Sequence, residues 1–343
     1  MGWSEVPVLV RVPATSANLG PGFDALGLAL SLYDDVAARV TPSGLSIEVS
    51  GEGAADVADA GEKHLVVRAM RAAFDDLGGE QPPGIAVRCV NRIPHGRGLG
   101  SSAAAIVAGI LAARALAGAG VSADEALPLS CELEGHPDNV APCLYGGLTI
   151  AWLGPAGAGA DFPGVAGAGG FGGRAAPRTR GDSGGSPPRA NRARAVRLEP
   201  AEQVMPVAII APAPVSTEMA RGLLPDQVPH WDAAWNAGRA ALLVAALTAR
   251  PEALLDATED RLHQNYRAPA MPATHDLVGR LRGAGLAAVV SGAGPSVLAL
   301  LTSAHELESL DSIVKETGIE WRVSPLDVER QGASVAPGVP SAW

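Results

Sequence analysis

The segment that most constrains this chain is a glycine-rich stretch at residues 94–105, which reads PHGRGLGSSAAA and opens an alanine-rich apolar run. Its alternating glycines are Gly96, Gly98 and Gly100. Glycine allows a positive φ and lets the backbone approach a ligand closely. The first N–H groups of a helix have no intrahelical acceptor, and the helix dipole favours an anion there. The stretch therefore predicts a phosphate-binding loop before a helix that Ser101 or Ser102 caps.

Two common nucleotide-binding patterns do not fit this stretch. A Walker A loop places Lys and then Ser or Thr after its last glycine, where this chain has Ser101 and Ser102. A dinucleotide fingerprint needs G-x-G-x-x-G spacing and an acidic residue about 20 positions later in a βαβ unit, and the stretch has neither. A glycine-rich turn that only caps a buried helix is the alternative that the loop by itself leaves open.

The composition indicates a globular and acidic protein. Its 343 residues suffice for two domains, and 47% of them are apolar. The formal net charge is −10, so sequence-independent binding of nucleic acid, which depends on Lys and Arg, is not expected. An anionic substrate would have to be held by local arginines and backbone dipoles.

Cysteine usage and hydropathy predict a cytoplasmic protein without a membrane partner. The three cysteines, at positions 89, 131 and 143, form no C-x-x-C pair and no zinc pattern, so we interpret them as buried thiols in a reducing compartment. The N-terminus lacks the basic and apolar pattern of a signal peptide. The longest apolar stretches are far shorter than the roughly 20 residues that span a bilayer.

Apolar periodicity predicts an α+β fold. Residues 26–32 and 35–40 are expected to form separate strands, and residues 84–91 a strand that leads into the glycine-rich loop. Residues 204–328 alternate as β, α, α, β, β, α, β, with a final strand at 320–328, which is not the order of a doubly wound sheet.

A second helix is predicted at residues 122–134. Ser122 and Glu125 have the spacing of a capping box, and Gly135 is a good terminating residue. It leads into a polar, turn-rich segment, EGHPDNVAP, at residues 134–142.

Residues 154–195 differ from the rest of the chain. These 42 residues contain 12 Gly, 5 Pro and 6 Arg and cannot bury enough apolar surface to offset the entropy of ordering. We interpret the segment as a disordered insertion between two strands, with its arginines on a solvated tether or in contact with a nucleotide. Residues 331–343 are expected to be a flexible tail.

Several polar residues have the chemistry that phosphoryl transfer requires. Mg²⁺ prefers hydroxyl and carboxylate oxygens together with phosphate oxygens, which suggests Ser102 and Glu134, with Glu132 as the second choice of carboxylate. A solvated glutamate near a helix end is the simpler interpretation of each acid. The cluster of His136, Asp138 and Asn139 around a proline favours function, although a helix cap is the alternative.

Three residues in the second half of the chain are also candidates. Thr217 and Arg221 are four residues apart on a predicted helix and so face the same way. Arg221 and Arg267 can each bind a carboxylate or phosphate through two hydrogen bonds. A second glycine-rich turn, SGAGPS at residues 291–296, either offers N–H groups to an anion or is a plain hairpin turn.

Taken together, these motifs resemble the GHMP small-molecule kinases, and within them the homoserine kinase family. The similar segments are VPATSANLGPGFDALG at residues 12–27, GLGSSAA at 98–104, EGHPDNVAP at 134–142 and SGAGPS at 291–296. The likeness runs over nearly the whole chain except residues 154–195 and the tail. It implies an α+β, two-domain fold: an N-terminal ATP-binding domain at 1–200 with a left-handed βαβ unit, and a ferredoxin-like C-terminal domain at 201–330.

The resemblance also implies an activity and a site. The activity is the transfer of the γ-phosphoryl group of ATP to the side-chain hydroxyl of L-homoserine, giving O-phospho-L-homoserine on the way to threonine, by a homodimer. The implied amino-acid site consists of Asn18, Asp24, His136, Asn139, Arg221 and Arg267. The implied ATP-binding residues are Pro94, Gly96, Arg97, Gly98, Leu99, Gly100, Ser101, Ser102 and Ala103. Ser102 and Glu134 would hold Mg²⁺.

Within this implied site, each group has an expected role. Asp24 would bind the substrate ammonium, the arginines its carboxylate, and Asn139 its hydroxyl, while Thr217 would lie beside the transferred phosphate. Asn139, Thr217 and Arg221 are the expected catalytic residues. Because no lysine stands near Asp138 in sequence, we expect positioning and electrostatic stabilisation without a strong general base. The rival interpretations are a related kinase for mevalonate or a sugar, and a sensor that binds ligand without turnover.

Overall fold

A computed structural model of the protein describes residues 2–57, 59–155 and 191–338. Its strands are β1 (Val8–Ala17), β2 (Leu26–Thr41), β3 (Gly44–Gly51), β4 (Gly84–Asn91), β5 (Leu148–Pro155), β6 (Asn191–Leu198), β7 (Met205–Ile210), β8 (Ala288–Val290), β9 (Val297–Leu301), β10 (Arg322–Pro325) and β11 (Ser334–Pro337). Its α-helices are α1 (Ala54–Val57), α2 (Leu65–Asp76), α3 (Ser101–Leu116), α4 (Ala123–Glu134), α5 (Pro137–Tyr145), α6 (Thr217–Gly222), α7 (His230–Thr248), α8 (Leu254–Ala257), α9 (Gln264–Arg267), α10 (Pro272–Gly283) and α11 (Ala304–Glu316).

The first sheet is organised around the long strand β2. Strand β1 pairs with one edge of β2, while β5 and β4 pair with successive parts of its other edge. The predicted break in this region is wrong, because β2 runs unbroken through its acidic pair. Buried Asp34 accepts hydrogen bonds from the backbone N–H groups of Arg92 and Ile93, and Asp35 binds Arg11. The two acids are therefore satisfied within a strand and need no turn.

The parallel part of this sheet is the unit β3–α2–β4. Strands β3 and β4 pair in parallel, and α2 is the crossover between them, as the resemblance implies; its left-handedness remains a prediction. Helix α3 packs closely on α2, since a methyl group on Gly109 would overlap the carbonyl oxygen of Val66. The alanine-rich composition of α3 thus reflects a close helix contact on one side and the sheet on the other.

The second sheet has the ferredoxin-like order. Its strands lie as β10-β7-β9-β8, which is 4-1-3-2 in chain order, and all pairs are antiparallel. Helices α10 and α11 cover one face through Leu277, Leu281, Leu310 and Val314. The other face packs into the apolar core that it shares with the first sheet. This shared core sets the position of one sheet relative to the other and so fixes the cleft between them.

The end of the chain differs from expectation. The tail was expected to be flexible, but Ser334–Pro337 pair with β1 as strand β11, because the edge of β1 supplies their backbone partners. The preceding strand, β10, is shorter than predicted and is not the last. Residues 156–190 of the proposed insertion lie outside the described ranges. Its ends belong to β5 and β6, which pair with each other.

The structure confirms the predicted end of α4 and the buried cysteines, and it confirms the predicted start of α4 in part. Ser122 caps α4 by accepting from Glu125 N, and α4 ends at Gly135, which has φ of 94°. Only half of the expected capping box forms, because the Glu125 carboxylate binds Arg114 instead. All three cysteines are buried and free, as predicted, and burial raises the pKa of Cys89 to about 12. Within the three described ranges we find no helix with the length and apolar character of a membrane span.

Candidate active site

The glycine-rich loop joins β4 to α3 with three left-handed residues. Gly96, Gly98 and Gly100 have φ values of 64°, 73° and 71°. Gly100 is itself the N-cap of α3 and no side chain caps the helix, so the predicted serine cap is wrong. A glycine in the left-handed conformation lets the chain turn directly into the helix. Ser101 and Ser102 are therefore the first residues of α3, and both line the cleft.

Two of these glycines are required by close packing. A methyl group on Gly98 would overlap the carbonyl oxygen of Ser291, and one on Gly100 would overlap the hydroxyl of Thr15. Ser291 also donates to the Gly98 carbonyl over 2.6 Å. The turn at residues 291–296 therefore packs directly against the glycine-rich loop and holds it through a hydrogen bond.

The segment after β1 holds an unusual backbone. Asn18, Leu19 and Asp24 have φ values of 68°, 50° and 54°, which non-glycine residues rarely adopt. Asn18 donates from Nδ2 to the carbonyl of Gly292 over 2.9 Å, and its Oδ1 accepts from the N–H of Asp24 over 3.0 Å. Both side-chain groups of Asn18 are thus used to hold the turn that presents Asp24 to the cleft.

A hydroxyl and a carboxylate meet at the start of α3. Ser102 donates from Oγ to Oε2 of Glu134 over 2.7 Å. Burial raises the pKa of Glu134, although the Ser102 hydrogen bond acts in the opposite direction. Two hard oxygen ligands beside a phosphate loop suit Mg²⁺, whose remaining positions phosphate and water would fill. Glu134 lines the cleft, whereas Glu132 is exposed outside it.

His136 and Asp138 form a hydrogen-bonded pair at the start of α5. His136 Nδ1 lies 2.5 Å from Oδ1 of Asp138, which is 2% exposed in its side chain. Burial alone would lower the pKa of His136, but the hydrogen bond and the charge of Asp138 raise it overall. The pair thus favours a protonated imidazole, which donates hydrogen bonds and is a poor proton acceptor.

Asn139 is held by the strand beneath the loop. Thr15 donates from Oγ1 to Oδ1 of Asn139 over 2.9 Å. Since this bond occupies the carbonyl side of the amide, the Nδ2 group is the one left for a ligand in the cleft. Asn139 therefore has a hydrogen-bond donor left to offer to the cleft that it lines.

The acid and one arginine of the implied amino-acid site are bound to each other. Arg221 Nη2 lies 2.7 Å from Oδ1 of Asp24, and Nη1 lies 3.3 Å from Oδ2. Both side chains are more than one third exposed, so the pair is accessible to solvent and to a small ligand.

Arg267, in contrast to Arg221, is buried and has no acidic partner among the described residues. It is 1% exposed, and no carboxylate in the described part of the chain lies within 4.0 Å of its guanidinium. Its Nε is buried and has no hydrogen-bond partner among the described residues. Burial, and then the charge of Arg221, lowers the pKa of Arg267. A buried cation without a counter-ion is costly, which makes this guanidinium a strong candidate for an anion site.

One cleft brings together most of the residues predicted from sequence. They are Asn18, Asp24, Gly96, Gly98, Gly100, Ser101, Ser102, Glu134, His136, Asn139, Thr217, Arg221 and Arg267. Four others do not line it. Pro94, Leu99 and Ala103 have buried side chains, so only their backbones can serve a ligand. Arg97 donates instead to the carbonyl groups of Ala211, Pro212 and His95.

A second cavity, which no motif in the sequence predicts, lies on the other side of the start of α3. Its volume is about 220 Å³, it borders Ser101 and Ser102, and its lining is mainly apolar. Its lining residues outside the predicted set include Val57, His64, Leu65, Asn91 and His95. Buried His64 has a ring atom, Nδ1, without a partner among the described residues. The apolar residues that line this cavity, such as Val57 and Leu65, cannot be told from core residues in the sequence, so no motif could have identified them.

Comparison with known proteins agrees with this geometry. The model of the GHMP kinases N terminal domain matches residues 64–147, and that of the GHMP kinases C terminal domain matches residues 242–320. The homoserine kinase of Streptomyces coelicolor is 54% identical over 333 residues, which cover 96% of this chain and 94% of the relative. The chain belongs to the homoserine kinase family of the GHMP kinases. The homoserine kinase of Clavibacter michiganensis is 47% identical over 96% of this chain and 93% of its own.

Solved structures give the same fold for members of this family. The homoserine kinase of Cytophaga hutchinsonii superposes with a TM-score of 0.72 at 27% identity, covering 96% of this chain and 97% of that one. The mevalonate kinase of L. major shares the fold alone, with a TM-score of 0.62 at 15% identity over 94% and 96% of the two chains. The resemblance and the two-sheet α+β fold class predicted from sequence are thus confirmed, while the residue boundaries of the domains remain predictions.

Proposed function

We propose that this chain is an ATP-dependent homoserine kinase, which transfers the γ-phosphoryl group of ATP to the side-chain hydroxyl of L-homoserine and yields O-phospho-L-homoserine for threonine biosynthesis. One observation carries the proposal: a buried, unpaired guanidinium and an accessible acid–arginine pair face the N-terminus of α3 across one cleft. The N-terminus of α3 suits the phosphates of a nucleotide, whereas the unpaired guanidinium and the acid–arginine pair suit the charged groups of an amino acid. The family's 54% identical relative from Streptomyces coelicolor bears the same name.

The nucleotide would lie along the start of α3. Its phosphates would accept hydrogen bonds from backbone N–H groups of the loop and of the first helical turn, where the helix dipole favours negative charge. The apolar cavity beside Ser101 is the proposed place for the base, with His64 and Asn91 as polar groups at its wall. Burial lowers the pKa of His64, so its ring is neutral and suited to contact an uncharged base.

We further propose that Ser102 and Glu134 hold Mg²⁺. The ion would neutralise charge on the phosphate oxygens when bound. The Ser102 hydroxyl, which now donates to Glu134, would turn its lone pair to the ion instead. The choice of Glu134 over Glu132 rests on its place in the cleft.

The amino acid would bind by exchange of ionic partners. Its ammonium would replace the Arg221 guanidinium on Asp24, and its carboxylate would bind the two arginines. The exchange returns a counter-ion to each group, so it costs little Coulomb energy and also neutralises Arg267. Mevalonate has no ammonium group to replace Arg221 on Asp24, so its carboxylate could bind Arg221 only by leaving Asp24 unpaired, which favours homoserine over that alternative.

The chemical step would depend on orientation. Asn139 has only its Nδ2 group free, and His136 favours its protonated form, so each donates a hydrogen bond and neither accepts a proton readily. Thr217 lines the same cleft as Asn139 and His136 and would contact the transferred phosphate. These groups would hold the hydroxyl in line and stabilise developing negative charge, without a strong general base. Buried free thiols support a reducing, cytoplasmic location, and a homodimer remains part of the proposal.

An assay of ADP release tests this function. We expect release with L-homoserine, and far less with L-serine, L-threonine or mevalonate at equal concentration. Phosphorus NMR of the product should give a phosphate monoester on the homoserine side chain. Binding of ATP and L-homoserine without turnover would instead support a sensor, and turnover of mevalonate would support the related kinase.

A further inference from the structure

Arg267 has a buried histidine as its nearest polar neighbour. His263, at the residue before α9, is fully buried, and its Nδ1 lies 3.2 Å from Nη1 of Arg267. On the other side of the ring, Nε2 lies 2.8 Å from the carbonyl oxygen of Gly20. A carbonyl oxygen can only accept, so Nε2 carries the proton and donates it to Gly20. In the neutral ring Nδ1 is then a lone pair, which accepts from Arg267.

The remaining contacts of Arg267 show which edge of the guanidinium is free. Nη1 also donates to the carbonyl of Gly292 over 3.3 Å, so both of its N–H groups are used. Nε has no partner, and no hydrogen bond of Nη2 occurs among the described residues. The Nε and Nη2 groups lie on one edge of the plane, which matches the two oxygens of a carboxylate.

We propose that His263 is a positioning residue: by accepting a hydrogen bond from Nη1, it turns the Nε/Nη2 edge of Arg267 toward the substrate carboxylate. The inference rests on the proposed function, because it assigns the carboxylate of that substrate to one edge of one arginine. His263 itself does not touch the substrate.

A stacked ring holds this arrangement in place. Phe23 stacks on His263 with ring centroids 5.2 Å apart and an interplanar angle of 29°. The Arg267 guanidinium lies 5.4 Å from the centroid of the same ring. Imidazole, phenyl ring and guanidinium are thus in mutual contact. Rotation of either His263 or Arg267 would have to displace Phe23, which directly precedes Asp24.

Protonation of His263 should undo the arrangement. An imidazolium has no lone pair at Nδ1 and would add a positive charge beside Arg267. The charged groups that face the ring are Arg267, Asp24 and buried Asp260, whose Oδ2 lies 3.7 Å from Nε2. Burial lowers the pKa of His263, and the charge of Arg267 lowers it further, while the two acids and the Gly20 bond oppose this. The neutral ring therefore persists below the usual pH range of histidine.

Two substitutions separate the two ring nitrogens. His263→Asn keeps an acceptor near the Nδ1 position, whereas His263→Gln keeps a donor near Nε2 and removes that acceptor. We expect His263→Gln to raise KM for L-homoserine about tenfold or more, since hydrogen bonds to charged groups are strong, and to leave KM for ATP within about twofold. His263→Asn should recover most of the wild-type KM. His305→Gln, on the exposed face of α11, is the control for the same chemical change.

The pH profile provides the second measurement. KM for L-homoserine should rise in the wild type as the pH falls below the usual histidine pKa, and His263→Asn should lose this rise. His136, whose pKa is raised, titrates at higher pH and should affect both proteins alike. Equal effects of His263→Gln on the two KM values, or a failure of His263→Asn to rescue a folded protein, would overturn the proposal. If the wild type does not phosphorylate L-homoserine at all, the proposed function fails instead.

Discussion

The two walls of the cleft differ in the kind of group that forms them. The nucleotide wall, residues 96–102 with Glu134, offers main-chain N–H groups from one contiguous segment at a helix start. The amino-acid wall consists of Asp24, Arg221 and Arg267, which come from three distant segments and act through side chains. Main-chain groups are held by the turn that creates them, whereas the side chains of the second wall must be held by other residues. On the proposed assignment, selectivity for the phosphate acceptor depends on positioning residues, and one of them, His263, lies outside every motif identified in the sequence.

The electrostatic state of the two walls also differs. The proposed nucleotide wall has backbone dipoles and one carboxylate, Glu134, whose partner is the neutral hydroxyl of Ser102. In the proposed amino-acid wall, the charges of Asp24 and Arg221 compensate each other in an ion pair. The buried guanidinium of Arg267 has no counter-ion among the described residues. On the proposed assignment, binding of the amino-acid carboxylate would relieve the free-energy cost of the unpaired, buried Arg267.

Replacement of Arg267 should have the largest effect and should fall on the amino-acid wall alone. Arg267→Met removes two charge-assisted hydrogen bonds of about 1.5–3 kcal/mol each, so kcat/KM for L-homoserine should fall by about 10²- to 10⁴-fold. Loss of the buried charge should stabilise the fold, whereas loss of the hydrogen bonds to His263 and Gly292 should destabilise it. Because the two effects oppose each other, Tm should change by less than about 5 °C. Steady-state kinetics with each substrate varied, together with thermal unfolding, measure both effects.

Arg282 supplies the matched control for that experiment. Arg282 is partly buried, whereas Arg267 is fully buried, and Arg282 donates to the Thr258 hydroxyl and the Leu255 carbonyl outside the cleft. Arg282→Met should lower Tm and leave KM for L-homoserine unchanged. If both variants lost activity in proportion to their loss of stability, Arg267 would be a structural arginine and the contrast between the walls would disappear.

The same contrast explains what could be predicted from sequence. The loop with its following helix and the cap of α4 follow from local patterns, because backbone requirements leave glycine and serine at fixed spacings. The ferredoxin-like C-terminal domain was instead implied by the family resemblance. The residue-level roles of Asp24 and Arg221 came from the family resemblance. Their mutual ion pair in the free protein did not, since it depends on the distance between segments almost 200 residues apart.

Other features could not be predicted for equally physical reasons. The break predicted between residues 32 and 35 does not occur, because the backbone N–H groups that satisfy Asp34 within β2 come from Arg92 and Ile93, directly after β4. A serine cap looked reasonable for α3, but the preceding glycine takes the cap position in a left-handed conformation. His263 belongs to none of the motifs identified in the sequence, and its contacts with Gly20 and Arg267 appear only in the fold. In each case the deciding partner is distant in sequence or is a backbone conformation.

Removal of the Glu134 carboxylate tests the acidic part of the nucleotide wall. Glu134→Gln should raise the Mg²⁺ concentration for half-maximal activity by about 10- to 100-fold, whereas the exposed Glu132→Gln should not. Because burial raises the pKa of Glu134, protons should compete with the ion at a higher pH than for an ordinary glutamate. The Mg²⁺ requirement of the wild type should thus rise on acidification, and the Gln variant should lack this dependence. An equal response of the two variants would remove the metal role from Glu134.

A single methyl group in the loop tests the backbone part of that wall. Gly98→Ala must adopt a left-handed conformation, at about 1–2 kcal/mol, and must also move away from the Ser291 carbonyl. KM for ATP should rise about tenfold or more. Gly96→Ala carries the same conformational strain, but its methyl group would meet only Pro214 Cβ at 3.1 Å, so its effect should be several-fold smaller. Nucleotide titration of both variants gives the comparison, and equal affinities would show that interdomain contact does not shape the loop.

The smallest expected effect lies where the two walls meet. Thr15 is fully buried under the loop and donates to Asn139, whose amide faces the reacting groups. Thr15→Val removes a bond of roughly 0.5–1.5 kcal/mol, so kcat should fall about 3- to 10-fold while both KM values stay within about twofold. Thr149→Val is the matched control, because that buried threonine bonds weakly to the Gly27 carbonyl over 3.4 Å. A fall in kcat alone would mean that Asn139 acts on the transferring group and belongs to neither binding wall. A rise in only one of the two KM values would instead assign Asn139 to the wall that binds that substrate.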